Sequence, residues 1–267
     1  MRRARLDAEL VRRGLARSRE HAAQLIAEAR VTVSGQLATK SATAVDPAAP
    51  VLVKDLDDDA HWASRGAHKL IGALDALAVP VTGRRALDAG ASTGGFTDVL
   101  LHRGASRVVA ADVGYGQLVW RLRTDERVHV LDRTNVRTLA PEQIGGVVDL
   151  VVADLSFISL ALVLPALVSC TAPGADLLPM VKPQFEVGRE RLGSGGVVRD
   201  PALRADAVRG VAQAAGRLGW GVAGAVASPL PGPSGNVEYF LHLRSDTPVD
   251  ATAAAALIDQ AVREGPQ

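Results

Sequence analysis

At 267 residues, nearly half of them hydrophobic, the chain can bury one large core and a small second one. Its single cysteine, Cys170, excludes an internal disulfide and any multi-cysteine zinc site, and fits a reducing, cytoplasmic compartment. The net charge of +1 hides an asymmetry: Met1 to Lys40 carries nine Arg/Lys against four Asp/Glu, and Asp46, Asp55, Asp57, Asp58 and Asp59 then reverse the sign. A basic head on a near-neutral body is a nucleic-acid signature, although a merely solvated basic helix carries the same charge. The charged N-terminus lacks the apolar stretch of a secretory signal. The most hydrophobic run, Val147 to Val168, is interrupted by Asp149, Asp154 and Pro165, which favours a strand and a helix over a membrane span.

In chain order, RLDAELVRR (5–13) has helical spacing, and Gly14 is a natural stop. Ser18 is a good N-cap for a second helix over Arg19 to Ala29. Val31 to Val33 alternates like a strand, Ser34-Gly35 is a turn, and Val45 and Val51 to Val53 supply further short strands. Residues 54–63 are acidic and lack apolar periodicity until Trp62, so they read as a linker. Trp62 either packs between two domains or couples RNA contact at the head to the body.

From Ser64 an α/β body is predicted. A helix over Arg65 to Leu77 leads into the strand Arg85 to Asp88. A glycine turn and a helix over Phe96 to His102 follow. Strands are expected over Arg107–Asp112, Val128–Leu131, Val147–Asp154, Asp176–Lys182, Gly221–Ala227 and Val237–Leu243. Helices are expected over Gln117–Arg123, Leu160–Ser169, Pro201–Leu218 (capped by Asp200) and Ala251–Val262. Alternating elements mean a mostly parallel, doubly wound sheet. The loop joining the last two strands is too short for a helix, so they should pair antiparallel.

Ligands of such sheets sit at the carboxyl ends of the strands. Asp88 closes the first, before the turn Gly90 to Gly95. The spacing is G-x-x-x-G-G, not the G-x-G-x-x-G of dinucleotide enzymes. It suits a nucleoside-like cofactor with a charged amino-acid tail. Asp112, about twenty residues past the glycines, is placed for ribose hydroxyls. Asp132, Asp154 and Lys182 end three more strands, Glu238 opens the last, and Lys69 lies on the helix before the first. Asp88 could instead cap a helix, and Asp112 could start a turn with Gly114. Asp154 in an apolar run needs a partner, because a lone buried carboxylate is costly.

Two resemblances arise from these motifs. RLDAELVRRG, SRExAxxLI and VTVSG resemble the alpha-L RNA-binding domain first described in a small-subunit ribosomal protein. This gives residues 1–53 as an RNA-binding domain, with Arg3, Arg5, Arg17, Arg19 and Lys40 as phosphate contacts. Nearly end to end, SRGAHKL (64–70), LDAGASTGGF (87–96), ADVGYGQL (111–118), DLSFISL (154–160), VKPQFEVG (181–188) and PSGNVEY (233–239) resemble the haemolysin-A-type (TlyA) ribosomal RNA methyltransferases. That resemblance implies a class I, S-adenosylmethionine-dependent (FtsJ-like) fold over residues 64–267, a Rossmann-like seven-stranded sheet. It implies 2'-O-methylation of cytidine ribose in 16S and 23S rRNA, the longer members of the family acting on both subunits. Lys69, Asp154, Lys182 and Glu238 would form the catalytic tetrad. Asp88, Gly90, Ser92, Thr93, Gly94, Gly95, Phe96, Asp112, Val113, Asp132 and Asp154 would hold the cofactor. Arg65, Tyr115, Arg133, Arg137 and Phe157 would meet RNA, Tyr115 and Phe157 by stacking, although Phe157 could equally pack in the core. Ribosomal RNA or ribosomal subunits would be the partner of a monomer without metal or membrane.

The chemistry of a 2'-O transfer fits this set. The protein must orient and deprotonate a ribose hydroxyl, and a lysine serves as base only when part of it is neutral. A nearby cation such as Lys69 and partial burial would favour neutral Lys182. Carbon-5 methylation would need a cysteine nucleophile, and Cys170 is away from the strand ends. Amino-group methylation would call for prolines after the fourth strand, where Leu155-Ser156-Phe157 stands. A non-catalytic rRNA-binding assembly factor, a membrane-lytic haemolysin and a nicotinamide dehydrogenase are the competing readings.

Overall fold

The computed structural model describes residues 4–16, 18–27, 30–46, 49–53, 62–232 and 234–266. They form two compact units, divided between residues 61 and 62. Arg3, Arg17 and the acidic stretch 54–61 lie outside the described residues.

The first unit begins with β1 (Ala4–Arg5), α1 (Leu6–Arg12) and α2 (Arg19–Ala27), followed by β2 (Val31–Val33), β3 (Gln36–Leu37), β4 (Ala44–Val45) and β5 (Val51–Val53). Strand β1 pairs with β4, and β2 lies between β3 and β5, all antiparallel. Leu6, Leu10, Ala22, Leu25, Ile26 and Val31 form a small core between the helices and strands. The Ser18 hydroxyl accepts from His21 N, which caps α2 as its sequence implies.

The second unit contains α3 (Gly66–Ala76), β6 (Arg85–Ala89), α4 (Gly95–His102), β7 (Arg107–Ala111), α5 (Trp120–Arg123) and β8 (Val128–Leu131). It continues with β9 (Val148–Ala153), α6 (Leu164–Ser169), β10 (Thr171–Val181), α7 (Pro183–Glu186), α8 (Pro201–Gly216), β11 (Gly221–Ala227), β12 (Tyr239–Arg244) and α9 (Ala251–Glu264). The seven-stranded sheet runs β11-β12-β10-β9-β6-β7-β8. Strands β6 to β10 are mutually parallel, and β12 is antiparallel to both its neighbours. Neighbouring residues of one strand face opposite sides. Leu87, Val109, Val151, Leu177 and Leu241 therefore enter a core shared with α6, α8 and α9. Ala86, Val108, Leu150, Leu178 and Phe240 enter one shared with α3 and α4. Burial on both faces explains the near-continuous apolar strands. Each fully buried leucine, such as Leu70, Leu87 or Leu177, contributes roughly 2 kcal/mol.

Two expected helices are shorter than their sequence implied. Residues 117–119 are not helical, because Val119 N donates to Thr93 O and Leu118 is buried against the glycine turn. Leu160–Leu162 is a 3₁₀ turn capped by Ser159, and α6 starts afresh with Pro165 in its first turn. Trp62 and Ala63 pack within the second unit. Ala63 N donates to Asp98, and the Trp62 ring stands edge-on to His102.

Candidate active site

The register of the sheet assembles the site. Ala89 is level with Ala111 and Ala153, and Ala111 with Leu131. Gly90, Asp112, Asp132 and Asp154 therefore leave the sheet at one edge. Val181 pairs antiparallel with Tyr239, which brings the residue after one, Lys182, beside the residue before the other, Glu238. Residues far apart in sequence thus meet because a parallel and an antiparallel ladder end together.

Two lysine–carboxylate pairs result. Lys69 Nζ on α3 donates to Glu238 Oε2 at 2.6 Å. Lys182 Nζ lies 2.6 Å from Asp154 Oδ1 and donates to Ser156 Oγ at 3.0 Å. The contact with Asp154 is an ion pair without hydrogen-bond alignment, so the directional bond of Lys182 goes to Ser156. Lys69, Lys182 and Glu238 are buried, whereas the Asp154 side chain is about one quarter exposed. Glu238 Oε1 has no hydrogen-bond partner among the described residues, and a Cβ on Gly232 would stand 2.5 Å from it. Separating either pair would leave a charge uncompensated in a poorly solvated place, which costs several kcal/mol.

The glycine turn lies next to these pairs. Gly90 has φ +89°, and a Cβ there would stand 2.5 Å from Asp154 O. Only glycine lets the turn after β6 approach the backbone after β9 so closely. Asp88 is fully buried. One of its oxygens accepts from Thr97 Oγ1 and the other has no partner among the described residues. Burial pushes its carboxyl up to about 7, opposed in part by the Thr97 hydroxyl. An orphaned buried oxygen beside a glycine turn is an acceptor that a ligand ammonium would satisfy. Asp112 accepts from Ser92 N and Gly114 N, so it shapes the turn and the following loop together. Asp132 is held by Arg123, and Val113 beside it is 70% exposed. The Phe96 side chain is buried against Phe240, which leaves its backbone to face a cofactor.

An FtsJ-like methyltransferase model matches residues 62–245, and an S4 domain model matches residues 4–51. The chain is 62% identical over 267 residues to the 16S/23S rRNA (cytidine-2'-O)-methyltransferase TlyA of Mycobacterium tuberculosis, covering 99% of each. The chain belongs to the TlyA family of FtsJ-like methyltransferases. It is also 33% identical to Hemolysin A of Brachyspira hyodysenteriae, over 89% of this chain and 98% of the other. A solved structure of a hemolysin-named protein from Streptococcus thermophilus superposes with a TM-score of 0.77 at 36% identity, covering 99% of this chain and 97% of that one. The expected class I methyltransferase fold, with its antiparallel last strand and an N-terminal S4 domain, is therefore correct. A nicotinamide dehydrogenase is excluded by the family.

In this TlyA-family chain the surface flanking the two lysine–carboxylate pairs is aromatic and basic. Phe157 is 90% exposed with φ +64°, so it is no core residue, and its ring lies 5.2 Å from that of Phe185. Tyr115 is exposed under the Arg133 guanidinium, 4.4 Å from its ring centre. Arg65 and Arg137 are exposed as well. On the S4 domain Lys40 is exposed, and Arg5 and Arg19 both grip the buried carboxylate of Asp7 while remaining half exposed. Ser156 and Glu186 were not foreseen. Their only signal was a place in DLSFISL and VKPQFEVG, the two segments the fold brings together. Among the described residues no helix is long and apolar enough to cross a membrane, and no group of three or more His, Cys, Asp or Glu could hold a metal ion.

Proposed function

We propose that this chain methylates the ribose 2'-hydroxyl of cytidines in 16S and 23S ribosomal RNA, using S-adenosylmethionine. The supporting observation is the pairing of Lys182 with Asp154, and of Lys69 with Glu238, at the strand ends beside the glycine turn. The named activity of the 62% identical M. tuberculosis relative agrees with it.

When bound, S-adenosylmethionine supplies an electrophilic methyl group carried on a sulfonium. Asp88 and the backbone from Gly90 to Phe96, with Ser92 and Thr93, would hold its amino-acid end. Asp112, Val113 and Asp132 would hold the nucleoside. Lys182 takes the proton of the ribose hydroxyl as that oxygen attacks. Asp154 and Ser156 hold the Lys182 amino group in place and receive it as an ammonium once it has taken the proton, and Glu238 fixes Lys69 at the other side. Phe157 and Tyr115 offer rings on which an extruded base can stack. Arg65, Arg133 and Arg137 meet phosphates around it. Arg5, Arg19 and Lys40 of the S4 domain, with Arg3 and Arg17 of the same segment, add phosphate contacts that give affinity and register rather than sequence reading. The enzyme acts as a cytoplasmic monomer.

The test is transfer of tritiated methyl to separated small and large ribosomal subunits, with RNA carrying a 2'-deoxy target nucleotide as control. Incorporation into both subunits, lost on the deoxy control, is expected. Incorporation that survives the deoxy control would exclude the 2'-oxygen. No incorporation, with rRNA still bound, would favour an assembly factor.

A further inference from the structure

Besides the Lys182–Asp154 ion pair, three ties join the segment after β9 to the segment after β10, in matching order. Ser156 Oγ meets Lys182 Nζ at 3.0 Å, Phe157 meets Phe185 ring to ring at 5.2 Å, and Glu186 closes the set. Glu186 Oε2 accepts from Ser159 Oγ at 2.6 Å, and Oε1 accepts from Leu160 N at 2.8 Å. The Ser159 hydroxyl also accepts from Ala161 N, so its own proton is directed at Glu186. Leu160 is anchored in the core. Between these ties sits Phe157, exposed and in a left-handed backbone conformation that costs a residue other than glycine of order 1–3 kcal/mol. Such a conformation persists only where its surroundings over-determine it. The Lys182 contacts reach only the first residues of the loop, Asp154 and Ser156, and the ring contact is exposed. Glu186 is the one member of the set making two hydrogen bonds to this loop.

We infer that Glu186 is a positioning residue: it clamps loop 154–160 onto α7, and so fixes Phe157 and Ser156 relative to Lys182. It touches neither substrate nor cofactor, and it acts through the loop. This rests on the rRNA 2'-O-methyltransferase reading and deepens it on the acceptor side. The glycine turn approaches the first two residues of this loop, Asp154 and Leu155, at the end away from Ser159 and Leu160, so the cofactor side should feel little of its loss.

The test compares wild type with Glu186→Ala, Glu186→Gln and Ser159→Ala in the full chain. Glutamine can still accept from Leu160 N and donate to Ser159 Oγ, so it should keep the clamp. Amide hydrogen exchange across residues 155–160, read without RNA, should accelerate about tenfold or more in Glu186→Ala and stay within about threefold in Glu186→Gln. Methyl transfer to rRNA should fall about tenfold or more in Glu186→Ala, through kcat or the KM for RNA. The dissociation constant for S-adenosylmethionine should hold within about twofold, and Ser159→Ala should fall between. The inference is overturned by unchanged exchange in Glu186→Ala, by unchanged transfer despite faster exchange, by Glu186→Gln as poor as the alanine, or by a parallel loss of cofactor affinity. A wild type that fails to methylate rRNA would overturn the functional reading and the catalytic half of the clamp together. A loop that stays protected without Glu186 would overturn the clamp alone.

Discussion

In the S4 domain, Asp7 is buried with Arg5 and Arg19 on its carboxylate, and Glu9 is buried with Arg12 and Arg13. Hydrogen bonds from Arg5 hold Asp7 well below the usual carboxylate range, and those from Arg12, then Arg13, draw Glu9 down to about 2. In the methyltransferase unit, Asp88 is buried with a threonine hydroxyl as its only side-chain partner and is pushed up to about 7. The same chemical group is thus committed to ion pairs in one region and left incomplete in the other. The acids of the S4 domain are saturated with donors, whereas Asp88 keeps an oxygen without a partner among the described residues, as the proposed cofactor role requires. Removal of a saturated acid should therefore cost stability, and removal of a reserved one should cost binding or turnover.

The largest expected effect tests the tetrad. Lys182→Ala should reduce methyl transfer by about 10³-fold or more, with cofactor affinity within about twofold by calorimetry. Retained turnover would end the role of Lys182 as base. The next concerns Asp88. Its carboxyl ordinarily titrates at 3.8, and its folded value near 7 favours the neutral form. Its stabilising effect is therefore present below pH 4 and lost as pH rises through 7, an effect of at most about 4 kcal/mol. Asp88→Asn should flatten that slope in denaturant titrations of the ligand-free protein. It should also weaken S-adenosylmethionine binding about tenfold at pH 8. Steeper alkaline instability in Asp88→Asn would contradict the reserved-acid view.

The head should behave in the opposite sense. The lowered carboxyl of Asp7 contributes stability above about pH 4 that is lost as the solution is acidified through its folded value. Asp7→Asn should weaken hydrogen-exchange protection of residues 6–12 by about 1 kcal/mol at pH 7, the exposure of both arginines limiting the effect. Its affinity for S-adenosylmethionine should not change. The smallest effect belongs to Arg133→Ala, which should raise the KM for RNA several-fold, reduce its salt dependence and leave the cofactor site unaltered.

Much of this was legible in the chain. The glycine turn, the strand-ending acids and the short loop before the last strand are local patterns, and each places a residue at the carboxyl edge of the sheet. Phe96 carries two signals at once: it stands within a glycine motif and also on the apolar face of α4, where its side chain packs against Phe240. Residues 117–119 look helical, but a backbone bond to Thr93 and the burial of Leu118 outweigh that propensity. The convergence of Arg5 and Arg19 on Asp7, and of Ser159 and Leu160 on Glu186, left no trace in spacing. Those contacts depend on how separate segments dock, which no periodicity encodes.

The antiparallel pairing of Val181 with Tyr239 has a last consequence. Side chains alternate along a strand, so a slip of one residue turns every group to the other face. A single insertion or deletion in the turn before Glu238 would thus carry Val237 or Tyr239 to the seat of the carboxylate. Lys69 would then face hydrocarbon, although all four residues of the two pairs would still be encoded. The enzyme's reading frame for catalysis is therefore set by a count of residues in a loop as well as by their identity.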